Sequence, residues 1–166
     1  ADTLAGLDAA WNAGFRGTKL NAVLLGGVNA DEIPALAQLA QDGKYEVRFI
    51  ELMPIGECAD WPRERFLSAD AVLHALPELQ RLPNEGVAER YRMPGWKGKI
   101  GLIRPMSHRF CADCDRIRVT ADGRLKPCLH SAQEIPLRGL HGENLEHALR
   151  EGMFGKPVSH HMQSGQ

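Results

Sequence analysis

No apolar run in this 166-residue chain is long enough to span a bilayer, and no charged-then-apolar leader opens it. We therefore expect no membrane partner and a cytoplasmic location. An excess of one charge is also missing. Twenty Lys and Arg nearly cancel 21 Asp and Glu, so bulk charge predicts no polyanionic partner such as a nucleic acid. Cysteine is scarce. Four residues, three of them clustered, do not make the dense disulfide framework of a small secreted scaffold, and they point to a reducing, intracellular setting. No internal repeat or low-complexity tract is visible. Nor is there an initiator Met: "ADTLAGLDAAWNAGF" opens directly on a helical pattern, so we expect a piece of a longer protein.

What is present begins as alternating helices and strands. Leu4, Leu7, Ala10 and Trp11 can share one face of a helix over residues 2–13. "TKLNAVLL" reads as a strand at 18–25, and "GGVNADEI" as a Gly-rich turn with an Asn or Asp cap. A second helix follows at 31–42, with Ile33, Leu36, Ala37 and Ala40 on its apolar face, and a second strand at 45–53. This order predicts parallel βα units, whose ligands gather at the C-terminal strand ends. After Gly56 the alternation stops. A helix is expected at 69–76 with Ser68 as its cap, strands at 88–93 and 99–103, a strand in "RIRVT" turned by "ADG", and a last helix at 137–151; residues 77–98 are rich in Pro and Gly breakers. The division is therefore expected near Gly56: residues 1–56 close an α/β unit, and 57–166 form a smaller α+β part that ends in a flexible, unstructured tail, "KPVSHHMQSGQ". Two parallel strands leave both edges open, so either later strands extend the sheet or a missing N-terminal part does.

The chemistry concentrates in "FCADCDRIRVTADGRLKPC", residues 110–128. Cys111 and Cys114 stand at Cys-x-x-Cys spacing, and Cys128 returns after thirteen residues. Thiolates favour zinc or iron–sulfur. His130, His108 and the more distant Cys58 are candidates for a fourth ligand, which would make a closed Cys₃His zinc module. Spacing leaves that reading, an iron–sulfur electron carrier and a cluster with an open iron side by side. From Arg90 to Cys128 there are ten Lys or Arg and three Asp or Glu, so an anionic ligand and a solvated basic face are both open. Arg116 and Arg118, two apart on the predicted strand, should share one face, with Ile117 and Val119 turned to the core. Arginine forks suit phosphate and carboxylate oxygens. Lys19 and Arg48 lie inside the two predicted parallel strands, where a charge is costly unless paired or facing a site; an Arg48–Glu51 ion pair is the structural alternative.

These residues carry a family resemblance. "GFRGTKLNAVLLGGVNADEI", "VRFIELMPIG", "DW", "GKIGLIRPMSHRFCADCDRIRVTADGRLKPCL" and "KPVSHH" together resemble the C-terminal half of the GTP 3′,8-cyclase family, radical S-adenosylmethionine lyases that open molybdenum cofactor biosynthesis. The resemblance implies the last βα units of an incomplete TIM-type barrel, followed by a small α+β iron–sulfur domain. It implies conversion of GTP to (8S)-3′,8-cyclo-7,8-dihydroguanosine 5′-triphosphate, by hydrogen abstraction from the ribose and attack of that carbon on the guanine ring. By position, Cys111, Cys114 and Cys128 match the ligands of a [4Fe–4S] cluster whose fourth iron is kept for GTP. Lys19, Arg48, Arg116, Ile117 and Arg118 match GTP contacts, and Met53 and Asn21 match contacts to S-adenosylmethionine. The family further implies a homodimer and a functional link to the enzyme that next forms cyclic pyranopterin monophosphate. Three departures stand out. Cys-x3-Cys-x2-Cys, the motif of the radical-generating cluster, is absent; the Gly-Gly end of the family is replaced by Ser164-Gly165-Gln166; and Asp115 stands where Asn is common. The 166 residues alone are therefore not expected to turn over GTP.

Overall fold

The computed structural model describes residues 2–111, 114–129, 131 and 133–156. It forms a mixed α/β protein of two compact units that divide between Arg109 and Phe110. The first unit begins with α1 (Asp2–Asn12), β1 (Thr18–Leu24), α2 (Ile33–Gln38) and β2 (Tyr45–Glu51). It continues through α3 (Asp70–Ala75), β3 (Gln80–Glu85), β4 (Ala88–Arg92) and β5 (Lys99–Ile103). The strands make one sheet in the order β1-β2-β5-β4-β3. β1, β2 and β5 are parallel, whereas β4 and β3 continue antiparallel. Later strands thus extend the sheet on its β2 side, and this unit runs well beyond Gly56.

The two faces of the sheet differ. Leu24, Val47, Phe49, Ile100, Leu102 and Tyr91 point to one side, where Ile33, Ala37 and Ala40 at α2 and Ala69, Val72 and Leu76 at α3 close the core. Full burial of a side chain such as Phe49 contributes about 2–3 kcal/mol. The same alternation turns Lys19, Asn21, Glu46, Arg48, Arg90 and Arg92 to the opposite face. α1 buries no residue, and Leu4 is exposed.

Local chemistry explains where the expected elements shift. α2 is shorter than expected and has Pro34 in its first turn, where a missing N–H costs nothing. No side chain caps it. Asn29 instead ties the preceding turn, accepting from the Leu25 amide at 2.8 Å and donating to the Val23 carbonyl at 2.9 Å. Beside it, Gly26 is required by space, because a Cβ there would lie 1.8 Å from the Glu64 carbonyl oxygen. Ser68 precedes α3 but is not its cap residue, which is Ala69; its hydroxyl accepts from the Asp70 amide at 3.2 Å. β3 falls in the stretch read as breaker-rich. It is an edge strand, where a Pro is tolerated, and the register shifts between Leu82 and Glu85, the interval that contains Pro83. A two-residue loop with Gly86 at positive φ joins it to β4.

The second unit holds a three-stranded antiparallel sheet of β6 (Arg118–Val119), β7 (Arg124–Lys126) and β8 (Ile135–Pro136), and α4 (Gly142–Phe154). Leu125 is fully buried, and Gly152 of α4 lies against it: a Cβ at 152 would sit 2.1 Å from Leu125 Cδ2. α4 starts later than expected because Leu137–Leu140 form a turn, closed by the Leu140 amide on the Leu137 carbonyl.

Candidate functional site

In the second unit the chain positions the cysteines with a few local bonds. The Cys114 amide donates to the Cys111 carbonyl at 3.3 Å, joining the two cysteines of the Cys-x-x-Cys motif. The Cys114 carbonyl in turn accepts from Lys156 Nζ at 2.8 Å. The excursion to Cys128 turns at Thr120–Gly123. Gly123 has φ 80°, its amide donates to the Thr120 carbonyl at 3.0 Å, and the Thr120 hydroxyl accepts from the Arg124 amide at 3.0 Å. Hydrogen bonds from the Thr120 hydroxyl and from Arg124 hold the Asp122 carboxyl below its ordinary pKa. All four cysteines are free thiols and half-buried. The donor chemistry of Cys111, Cys114 and Cys128 fits a soft metal or iron–sulfur group. Among the described residues, however, no three His, Cys, Asp or Glu side chains are gathered closely enough to hold a metal ion. His130 lies outside the described residues, as do Ala112 and Asp113 between the first two cysteines. His108 is exposed, and Cys58 closes a short 3₁₀ turn in the first unit.

The arginine pair differs from the expectation. Only Arg118 is in β6, and Arg116 precedes the strand. Arg116 is mostly exposed and pairs with Asp115 at 3.4 Å. Ile117 is half-buried. Val119 is 59% exposed rather than core-facing, because a two-residue strand paired only with β7 covers neither of its faces; Leu125 forms the core instead.

The first unit gathers the other cations. Lys19 is not buried, being on an exposed row of β1, and its Nζ lies 3.5 Å from Glu85. Arg48 stands in register between Asn21 on β1 and Gly101 on β5, with Arg90 next across β4. A Cβ at Gly101 would be 3.0 Å from Arg48 Cγ, so the glycine leaves space for that side chain. Arg48 Nε donates to Glu46 at 2.6 Å, and Arg90 contacts both Glu85 (2.6 Å) and Glu46 (4.0 Å). The Nε atoms of Arg90 and Arg92 are buried with no hydrogen-bond partner among the described residues. Flat strands at normal spacing would put β1 and β3 roughly 19 Å apart. The Lys19–Glu85 contact between those two strands therefore requires this face to be concave.

Arg48 does not pair with Glu51. Odd and even positions of β2 face opposite sides, and Glu51 is buried on the helix side. Its carboxyl accepts the amides of Ala69, Met106 and Ser107, each at 2.9 Å, and the Ser107 hydroxyl. Arg104 extends the network, donating to Ser107 at 3.1 Å and to Asp70 at 2.6 Å, with Glu89 3.7 Å away. Glu51 thus fastens three segments at the C-terminal end of β2. Met53, half-buried just beyond, accepts the Ile55 amide at 2.9 Å through its carbonyl.

Several residues of these clusters were missed in the sequence. Alternation in "AERYR" places Arg90 and Arg92 on one face, and Glu46 stands two residues from Arg48, so both were detectable once strand pairing was known. Lys156 gave a signal only as part of "KPVSHH". Glu85 gave none, because it comes from an edge strand interrupted by Pro83.

A mixed α/β chain with a cysteine-bearing second unit can now be placed. The family model for Molybdenum Cofactor Synthesis C matches residues 45–162, and the chain belongs to that family. Among curated relatives, the GTP 3',8-cyclase of Alkaliphilus metalliredigens (strain QYMF) is 44% identical over 167 residues, covering 98% of this chain and 52% of the relative. The GTP 3',8-cyclase of Alkaliphilus oremlandii (strain OhILAs) is 42% identical over 162 residues, covering 95% and 51%. That of Peptoclostridium acidaminophilum is 42% identical over 169 residues, covering 98% and 52%. The chain spans about half the length of these curated relatives. No helix among the described residues is long and apolar enough to cross a membrane.

Proposed function

We propose that this chain is the C-terminal, GTP-binding part of a GTP 3′,8-cyclase acting at the first step of molybdenum cofactor biosynthesis. The observation that carries the reading is the match to GTP 3',8-cyclases over 95–98% of the chain at 42–44% identity. The fold supports it. Three parallel strands with helices packed on one face agree with the last βα units of a TIM-type barrel, and the antiparallel β4 and β3 continue that sheet. Lys19 and Arg48 then present their charges to the triphosphate or ribose of GTP, and Arg116, Ile117 and Arg118 form a second contact set. Asn21 and Met53 are assigned to S-adenosylmethionine. Glu46 holds the Arg48 guanidinium in one direction, which removes some of the ordering cost of binding.

Cys111, Cys114 and Cys128 hold a [4Fe–4S] cluster in this reading. When bound, such a cluster supplies one iron without a protein ligand, a Lewis-acid seat for the guanine base. The chain's own contribution is position and charge: Lys156 anchors the Cys-x-x-Cys turn at the Cys114 carbonyl, and the Thr120–Gly123 turn returns the chain to Cys128. Without a Cys-x3-Cys-x2-Cys motif, the 166 residues alone do not turn over GTP. The full protein is a homodimer and delivers its product to the enzyme forming cyclic pyranopterin monophosphate.

The test is anaerobic reconstitution of the chain with iron and sulfide, followed by GTP titration. A GTP-dependent change in the cluster spectrum supports the reading. A colourless protein that retains about one zinc favours a closed structural site, and a cluster indifferent to GTP favours an electron carrier. Turnover of GTP by this chain with reductant and S-adenosylmethionine contradicts the inactivity.

A further inference from the structure

Cations outnumber carboxylates on the concave face of the first sheet. Lys19, Arg48, Arg90 and Arg92 project there, facing Glu46 and Glu85. The two carboxylates are held differently. Glu46 is 12% exposed and locked against Arg48. Glu85 is 51% exposed, ends β3 beside a two-residue loop, and bridges Lys19 Nζ (3.5 Å) and Arg90 Nη1 (2.6 Å). Its contact with Arg90 is at Nη1. Arg90 Nε, 4.0 Å from Glu46, is buried with no hydrogen-bond partner among the described residues. A buried donor left unsatisfied is costly, and a guanidinium fork is best used by an oxyanion that engages two of its nitrogens.

We propose that Lys19 and Arg90 form a phosphate seat, and that Glu85 fills it as an intramolecular counter-ion until a ligand phosphate displaces it. Arg90 thereby becomes a further anion-binding residue. A phosphate group carries more charge and more acceptor oxygens than a carboxylate, so it can take the Glu85 position between Lys19 Nζ and Arg90 Nη1 and engage the end-on Nη1–Nη2 edge of the fork. Arg90 first and then Lys19 hold the Glu85 carboxyl below its ordinary pKa, as a counter-ion seated between two cations should be. Its place at the hairpin end lets it move aside without breaking the β4–β5 ladder. For the identity of the ligand, the proposal rests on the GTP reading above; for the seat itself, it rests on the geometry.

Isothermal titration of the 166-residue chain with GTP, and separately with inorganic tripolyphosphate at fixed low salt, tests both levels. Glu85→Gln should bind both ligands roughly three- to fivefold more tightly, the scale of an exposed ion pair removed from competition. Arg90→Met should weaken tripolyphosphate about tenfold or more, and the Glu85→Gln gain should vanish in that background. If Arg90→Met does not fold, Glu85→Gln alone decides. Unchanged or weaker tripolyphosphate binding by Glu85→Gln, in a protein that still unfolds cooperatively, overturns the seat. GTP binding with no response to Glu85→Gln overturns the seat and leaves the GTP reading standing. Tripolyphosphate responding as expected with no binding of GTP does the reverse. Binding of neither ligand overturns both.

Discussion

Replacing Glu51 by Gln tests whether the C-terminal end of β2 is fastened as described. The side chain is 2% exposed, and both carboxyl oxygens are used. One oxygen accepts the Ala69 amide and the Ser107 hydroxyl, and the other accepts the Met106 and Ser107 amides. A Gln is nearly isosteric but turns one oxygen into an NH₂ donor. In the better orientation the NH₂ replaces the oxygen facing Ala69. The Ser107 hydroxyl can then rotate to accept, but the Ala69 amide faces a donor and goes unsatisfied. One buried unsatisfied donor costs about 1–3 kcal/mol, and a lost bond to a charged group a comparable amount. The expected loss is about 3 kcal/mol, or roughly 6–12 °C in melting temperature for a chain of this size. Urea unfolding followed by far-ultraviolet circular dichroism measures it. A Glu51→Gln protein within about 0.5 kcal/mol of wild type would refute the reasoning, since changes on that scale are typical of surface sites.

Gly152→Ala should destabilise the second unit by about 1–3 kcal/mol through overpacking against Leu125; native-state hydrogen exchange at Leu125 reads it, and unchanged protection rejects the contact. Asn29→Ala should cost about 1 kcal/mol or more, because the Leu25 amide and Val23 carbonyl both lose a partner; wild-type stability in urea would contradict it. Acid stability follows from two depressed carboxyls, Glu85 beside Arg90 and Lys19 and Asp122 bonded by Thr120 and Arg124. Their folded pKa values lie below the unfolded carboxylate value of about 4, so their contribution is complete above that pH and is lost as pH falls through the folded values. Glu85→Gln and Asp122→Asn should each flatten the acid limb below about pH 4, and an unchanged limb in both variants rules this origin out.

Much of the first unit is legible because its patterns are local. Alternation in "TKLNAVLL" and "YEVRFIELM" marks β1 and β2, and the Ile33, Ala37, Ala40 stripe marks α2. The failures share one cause. Which residue pairs with Arg48, whether Val119 finds a covering layer and whether Pro83 can sit in a strand all depend on neighbours brought in by long-range pairing. An i,i+3 separation made Glu51 the candidate partner of Arg48. The strand period of two places Glu51 on the opposite face and leaves Glu46, at i−2, as the partner. The candidate site behaves the same way. The cysteines and the Arg-x-Arg pair are visible as a motif, whereas Glu85, Arg90 and Lys156 take their roles in part from Lys19, Glu46 and Cys114, which are 66, 44 and 42 residues away in sequence.

The claim that three cysteines hold a cluster whose fourth position is kept for substrate is tested most directly by metal content in two variants. After anaerobic reconstitution, the parent chain should carry about four irons. His130→Ala should keep that iron and still respond to GTP, while Cys128→Ala should lose it. Loss of metal from both variants, or about one zinc per parent chain, would mean a closed site and contradict the account.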